Sequence, residues 1–494
     1  MRADSLPADD WRLLGELIAA RTGLHFPAER RPDLRRALAE AAPEFGFDNG
    51  DACAAWLLST PLSGDALRKL ASHLTIGETY FFRERPSFNA LATHVLPALI
   101  HRKRGTDRRL RLWSAACSSG EEAYSLAILI QQVLPDWRDW NIHILATDIN
   151  PRFLRKAEAG LYGEWSFRES APDFRAKYFT PAGNRQYQVR AEARDLVKFA
   201  ELNLAQDGFP SIATDTNAMD LILCRNLLIY FTPVHARQLI ASLRRSLTDD
   251  GWLVVSPSEC SQAMFPGFAP VNFPGSILYR KRESPPLAEP TPMPAPVDAH
   301  LAFLAPPLSG QPLGETEVAR ILAPTAVPDS EAAQKLYSQG RYMEAAALLR
   351  AALDAGPQPG DARLLGLLVR ALANVGALDE ALAASQRWIA ADRIDASAHY
   401  LNAMVLQELG DRAGARAALQ RAVYLLPEFT LAHFALGNAA RAAARHKEAQ
   451  RHFDNAAHLL RDHPADDIVP ESEGLTAGRL REIIGALTTG VRHA

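Results

Sequence analysis

Five short stretches hold residue types from which a binding site can be built. SAACSSGEEAYS, Ser114 to Ser125, follows a strand-like run with small residues that let backbone approach a ligand closely, and Gly120 admits conformations that other residues resist. Ser119 is expected to cap the helix that follows, with Glu121 and Glu122 in its first turn, where the helix dipole favours acid. Two carboxylates there repel a pyrophosphate and suit a ligand with positive charge or hydroxyl and amino donors. The stretch also lacks a G-x-G-x-x-G dinucleotide fingerprint. Asp148 closes NIHILATD at the carboxyl end of a predicted strand, where an acid can accept from both hydroxyls of a ribose; the plainer alternative is an N-cap for a helix starting at Pro151. Asn203-Leu204 and Arg225-Asn226 end two further strand-like runs and are expected to reach the same crevice, Asn203 toward an adenine edge and Asn226 toward an amino-acid moiety. LTIGETYFFRERPSF, Leu74 to Phe88, sets three aromatics beside charges between Gly77 and Pro86, as a core wedge or as the lid of a site, with Thr79 and Arg83, four apart, expected to share a helix face toward the ligand.

A nucleoside that carries a cation and sits beside carboxylates describes S-adenosylmethionine. Its sulfonium methyl needs little activation beyond an in-line nucleophile at near-attack distance. A glutamate carboxylate, with an ordinary pKa of about 4.3, is already ionised at neutral pH and needs no general base. The chain shows no catalytic-looking His or Lys constellation, as that chemistry allows. The four cysteines (Cys53, Cys117, Cys224, Cys260) have no CxxC spacing, so neither a metal site nor a disulfide framework is expected.

The elements that must position these residues are legible as periodicities. Residues 1–100 read as a helical domain: Trp11, Leu14 and Ile18, then Leu34, Leu38, Ala41 and Phe45, then Leu67, Leu70 and Leu74, and finally Phe88, Leu91, Val95 and Leu99 recur at helical spacing. From 101 to 283 strands alternate with helices: strands at 109–115, 141–148, 220–226 and 251–259, helices at 121–133, 151–160 and 233–247, and an antiparallel edge in VNFPGSILYRKR. That alternation predicts an α/β fold with a doubly wound, mainly parallel sheet. Residues 161–200 fit it poorly and suggest a small β insertion.

Residues 284–328 hold 11 of the 33 prolines and read as a linker. Beyond it Glu344-Ala345, Glu380-Ala381, Gly414-Ala415 and Glu448-Ala449 recur at intervals of 36, 34 and 34 residues, with Gly340, Gly376, Gly410 and Ala444 at a constant offset before them. This period is similar to that of tetratricopeptide repeats, which places an all-α solenoid at 329–465 and a tail at 466–494. Over the 494 residues, 48% hydrophobic and 22% charged content is that of a globular protein. A net charge of −3 gives no reason to expect nucleic-acid binding, and no apolar run approaches membrane-span length. With no signal-peptide pattern at the amino terminus, a cytoplasmic location is expected.

GETYFFRE (77–84), LWSAACSSGEEAYSLA (112–127), ATDIN (146–150), AGLY (159–162), FAELNL (199–204), DLILCRNLLIYF (220–231) and DGWLVVSPSE (250–259) together resemble the CheR-type chemoreceptor glutamate O-methyltransferases over about residues 1–280. The resemblance implies S-adenosylmethionine as cofactor, S-adenosylhomocysteine as product, and cofactor contacts from Thr79, Arg83, Glu121, Asp148, Asn203, Leu204, Arg225 and Asn226. It also places Arg83 and Tyr230 near the methyl group and the incoming carboxylate. Gly77 stands where the family pattern has Asn, so a side-chain amide contact to the cofactor is missing at that binding position.

The implied partners are chemoreceptor cytoplasmic helices carrying glutamates, and a protein or peptide ligand of the repeat groove. Arg30, Arg31, Arg35 and Arg36, and separately His101-Arg102-Lys103-Arg104, form basic patches able to steer an acidic helix or simply to be solvated. The repeats are expected to tether or regulate. Two rival readings are a catalytically weak cofactor-binding adaptor and a nicotinamide dehydrogenase.

Overall fold

A computed structural model of the chain describes residues 6–170, 172–206, 208–282, 328–355 and 361–491. The proline-rich stretch 284–328 lies outside these residues except for Pro328, as does most of the PQPGD turn in the first repeat interval.

The amino-terminal part is helical: α1 (Ala8–Thr22), α2 (Arg31–Ala41), α3 (Gly50–Ser59), α4 (Gly64–Leu74), α5 (Arg85–Ala90) and α6 (Leu96–Arg104). The stripes read from sequence face inward, with Trp11, Leu14, Ile18, Leu34, Leu38 and Leu70 all buried. Segment 76–80 has no regular secondary structure and α5 begins only at Arg85, with Pro86 in its first turn. Thr79 and Arg83 therefore do not share a helix face, contrary to what their spacing of four suggests. Phe82 and Glu84 take positive φ, which breaks any helix between them.

The α/β part runs β1 (Arg109–Ala115), α7 (Glu121–Val133), β2 (Asn141–Asp148), α8 (Pro151–Ala159), β3 (Leu161–Gly163), α9 (Pro172–Tyr178), β4 (Phe179–Pro181), β5 (Gln186–Val189), α10 (Ala191–Arg194), β6 (Val197–Glu201), β7 (Met219–Leu223), α11 (Pro233–Ser246), β8 (Leu247–Val254), β9 (Phe268–Phe273) and β10 (Ser276–Lys281). Seven of these strands form one sheet in the order β6-β2-β1-β7-β8-β10-β9. All neighbours from β6 to β8 are parallel, and β10 runs antiparallel to both β8 and β9. The order reverses between β1 and β7, and such a switch point opens a crevice at the carboxyl ends of the strands. β1 and β7 are buried along their whole length, as continuous apolar runs require. β3, β5 and β4 form the small antiparallel insertion. It is fixed to the 77–84 segment by Phe81, which is fully buried with ring centroids 5.0 Å from Tyr162, 5.1 Å from Phe167 and 4.9 Å from Phe179.

The repeats form helix pairs α12 (Pro328–Ser338) with α13 (Tyr342–Asp354), α14 (Asp361–Val375) with α15 (Leu378–Ala391), α16 (Ala396–Glu408) with α17 (Arg412–Leu425), and α18 (Thr430–Ala442) with α19 (His446–Leu459). The small residues of the motif, Ala345, Ala381, Ala415 and Ala449, are all buried. A last helix, α20 (Ala477–Val491), lies in what reads from sequence as a tail. The turns within the first three pairs sit against the amino-terminal side of the sheet and its helices: Gly340 at Arg245, Gly376 at Arg109 and Ala218, Gly410 at Asn141.

That docking explains why β1 carries two buried arginines. Arg109 and Arg111 are each 3% exposed, too costly for unpaired cations. The buried Glu408 carboxylate of α16 lies 3.0 Å from Arg109 and 3.6 Å from Arg111, and accepts from Asn217 at 2.8 Å. Arg111 also bonds Asp215 at 2.9 Å. The solenoid thus covers the edge of the sheet opposite the crevice.

Candidate active site

The crevice at the switch point is walled by three groups of residues. The loops after β1, β2, β6 and β7 supply Ser118, Asp148, Leu202, Asn203, Leu204, Arg225 and Asn226. The end of α4 and the segment after it supply Leu74, Thr75 and Ile76, and the end of α1 with the stretch leading to α2 supplies Thr22, Phe26 and Arg30. Of the residues singled out in sequence, Asp148, Asn203, Leu204, Arg225, Asn226 and Tyr230 come together here. Gly77, Thr79, Arg83 and Glu121 do not line it.

Asp148 is 7% exposed and its two oxygens accept the Ser118 N–H at 2.8 Å and the Asn150 N–H at 2.9 Å. Burial pushes its carboxyl up to about 6, and the backbone donors of Asn150, Ser118 and Ile149 pull the other way. It does not cap α8; Asn150 does, accepting from Arg152 and Phe153 N–H. Each Asp148 oxygen keeps acceptor capacity toward the crevice. Beside it the Ser118 hydroxyl is buried with no hydrogen-bond partner among the described residues. Ala116 and Ser118 both take positive φ, a conformation that costs non-glycine residues energy and gathers at functional loops.

The acids after Gly120 face away from the crevice. Glu121 accepts from Ser119 Oγ at 2.7 Å and Ser166 Oγ at 2.9 Å, so Ser119 serves Glu121 and does not cap α7. Glu122 accepts from Ser114 Oγ at 2.7 Å and pairs with Arg225 at 3.2 Å; burial raises its pKa, against the pull of Arg225. Arg225 is held from a second side by Glu84 at 2.9 Å and donates to the Arg83 carbonyl. This ties the 77–84 segment to the sheet, while the Arg83 guanidinium turns to the Glu78 carbonyl and the Tyr80 ring. Asn226 is in the left-handed region, and Glu259 holds its turn by accepting Asn226 N–H at 2.9 Å and Leu228 N–H at 2.7 Å. The Asn203 side chain donates to the Arg21 carbonyl at 2.8 Å and accepts from Ala205 N–H at 3.1 Å, which fastens the crevice to α1.

Gly77 has a local reason. A Cβ at that position would collide with the ring of Phe153, which lines the crevice from α8. An aromatic ring therefore occupies the space into which the family's asparagine would project. Phe26 and Arg30 escaped the sequence reading as crevice residues: Arg30 stacks over the Phe26 ring at 5.1 Å and the Tyr230 ring at 5.3 Å. The other basic patch is structural, with Lys103 bonded to buried Asp220 at 2.6 Å, Arg104 to Asp136, and Arg102 near Asp250.

A buried carboxylate at a strand end, a partnerless hydroxyl beside it and an aromatic wall suit a nucleoside with hydroxyl donors. Residues 77–267 match the family model described as "CheR methyltransferase, SAM binding domain". A probable chemotaxis protein methyltransferase of Rhizobium etli is 37% identical over 207 residues, 41% of this chain and 75% of its own length. A probable biofilm formation methyltransferase WspC of Pseudomonas aeruginosa is 28% identical over 437 residues, 82% of this chain and 96% of its own. A solved tetratricopeptide repeat protein from Parabacteroides merdae is matched over 33% of this chain and 59% of its own, at 19% identity and a TM-score of 0.27. The chain belongs to the CheR methyltransferase family. It is an S-adenosylmethionine-dependent protein-glutamate methyltransferase of chemosensory signalling that carries carboxy-terminal tetratricopeptide repeats.

Proposed function

We propose that the crevice holds S-adenosylmethionine with Asp148 accepting from the ribose hydroxyls, the Ser118 hydroxyl completing that contact and Phe153 packing against the base. The observation that carries this reading is the pair formed by buried Asp148 and the partnerless Ser118 hydroxyl. Bound there, the cofactor supplies a methyl group on a positively charged sulfur. The chain's own task is to bind, orient and exclude water, since an ionised glutamate needs no base. Tyr230 and Arg30, stacked at the crevice wall, orient the incoming carboxylate, Arg30 by charge-assisted hydrogen bonds. Arg225 keeps the crevice floor fixed through its ties to Glu84 and Glu122.

The substrates in this reading are glutamates on the cytoplasmic helices of a chemoreceptor, and the protein works in the cytoplasm. Among the described residues no helix is long and apolar enough to cross a membrane. The repeats, docked at the amino-terminal edge of the sheet, lie about 20 Å or more from the crevice by the rise of the strands. A partner bound there is tethered and does not itself present the reacting glutamate. Incubation with methyl-labelled cofactor and a purified receptor cytoplasmic domain should place alkali-labile label on the receptor. Tight cofactor binding without any transfer would favour the adaptor reading instead.

A further inference from the structure

The last helix, α20, belongs to two bodies at once. Its inner residues Leu480 and Ile484 are buried in the core of the repeats. Its outer face meets the methyltransferase: Arg479 Nη1 lies 2.9 Å from Glu201 Oε1 and 3.1 Å from Glu482 Oε2, and Arg68 of α4 donates to the Glu482 carbonyl at 2.9 Å. The fit at α4 is close, because a Cβ on Gly64 would overlap the Glu482 carboxylate. The preceding loop is anchored too, with the Ile212 N–H donating to Glu473 at 3.1 Å and Tyr337 of the first repeat bonding the same carboxylate.

The first contact sits at the root of one crevice wall, and the second on the helix that leads to the other. Glu201 ends β6, and the next three residues, Leu202, Asn203 and Leu204, line the crevice. α4 ends at Leu74, and Leu74, Thr75 and Ile76 form the other wall. The Arg479 guanidinium therefore ties α20 to the strand that delivers one wall, and the Glu482 backbone carbonyl, by accepting from Arg68, ties the same helix to the one that delivers the other. The Arg479 side chain is 12% exposed and that of Glu201 7%, so the pair acts in a medium of low dielectric where a lost partner is felt strongly.

We infer that Arg479 is a positioning residue for cofactor binding, setting the separation of the two crevice walls from outside the methyltransferase fold. The repeats, which hold α20 in place, thereby gain a mechanical route to the crevice although they dock on the opposite edge of the sheet. A ligand that shifts the solenoid changes cofactor affinity through this brace.

The test is calorimetric titration of the full-length chain with S-adenosylhomocysteine, which needs no receptor. Arg479→Ala should weaken binding by roughly five- to tenfold, within the range of measured couplings between sites. Arg479→Lys, which keeps a cation between the two carboxylates, should stay within about twofold of wild type on the same scale. In turnover, the KM for the cofactor should rise in Arg479→Ala with kcat held, a split that a general loss of stability would not produce. Arg350→Ala, which breaks an exposed pair with Glu380 inside the repeats, should leave affinity unchanged. A folded Arg479→Ala variant with wild-type affinity overturns the inference. Should that variant not fold, unchanged affinity in Glu201→Gln overturns it equally. A wild-type chain that fails to bind S-adenosylhomocysteine would instead overturn the crevice as the cofactor site, and the brace with it.

Discussion

Cofactor affinity should fall in mild acid, and Asp148 is the reason. Burial raises its pKa to about 6 in the free protein. A carboxylate that accepts from two hydroxyls must be ionised, and the cofactor's positive charge favours that form further. The acid form of Asp148 is thus the form that does not bind. Affinity is then complete above about pH 7 and is lost as pH falls through about 6, by a factor that grows to roughly tenfold at pH 5, or about 1.4 kcal/mol. The assay is titration with S-adenosylhomocysteine, whose own groups do not titrate in this range, from pH 8 to pH 5, with circular dichroism confirming that the chain stays folded. Asp148→Asn should bind weakly at every pH and show a flat profile. A wild-type profile that is flat over the whole range, or one that persists unchanged in Asp148→Asn, would refute the assignment of Asp148 as the ribose acceptor.

Other expectations follow from the same contacts. Gly77→Asn restores the family residue but drives it into Phe153, so cofactor affinity should drop about tenfold, as overpacking of a filled site costs about 1–3 kcal/mol; the double variant with Phe153→Ala should recover it in the same titration. Glu408→Ala leaves Arg109 and Arg111 buried with less counter-charge and should cost about 3 kcal/mol, read by chemical denaturation as loss of a single cooperative transition when the repeats undock. Arg30→Ala should lower kcat/KM for the receptor roughly tenfold, the worth of one charge-assisted contact. It should leave S-adenosylhomocysteine affinity within twofold, measured by the same calorimetry.

The parts of the fold that declared themselves in the sequence were those dictated by local rules. RLRLWSA, EEAYSLAILIQQV and NIHILATD form β1, α7 and β2 at the residues read from pattern alone, because buried strands and a strongly apolar helix leave little choice of boundary. The repeat register was equally plain, since each unit buries the alanine of its motif. Asp148, Asn203, Arg225 and Asn226 converge because they end neighbouring parallel strands. What failed depended on distant partners. Thr79 and Arg83 looked like one helix face, yet Phe81 and Phe82 are drawn to aromatic neighbours from residues 88 to 179, and Pro86 in the first turn of α5 was the available sign that the helix starts later. The 101–104 patch looked free because Asp136, Asp220 and Asp250 lie far along the chain. Arg30 reaches the crevice only by packing of the helical domain on the sheet, which no local pattern encodes. Arg109 and Arg111 inside a central strand signal that a partner covers the end of that strand, but the sequence does not say that the partner is Glu408.

The central claim is that this chain forms methyl esters on receptor glutamates, and peptide mapping of the reaction product by mass spectrometry tests it most directly. Purified full-length protein, cofactor and a chemoreceptor cytoplasmic domain should yield receptor peptides with methyl groups on glutamate side chains, removed by mild alkali and absent with Asp148→Asn. Methyl groups on nitrogen, stable to alkali, or an unmodified receptor after incubation with a protein that binds the cofactor, would contradict it.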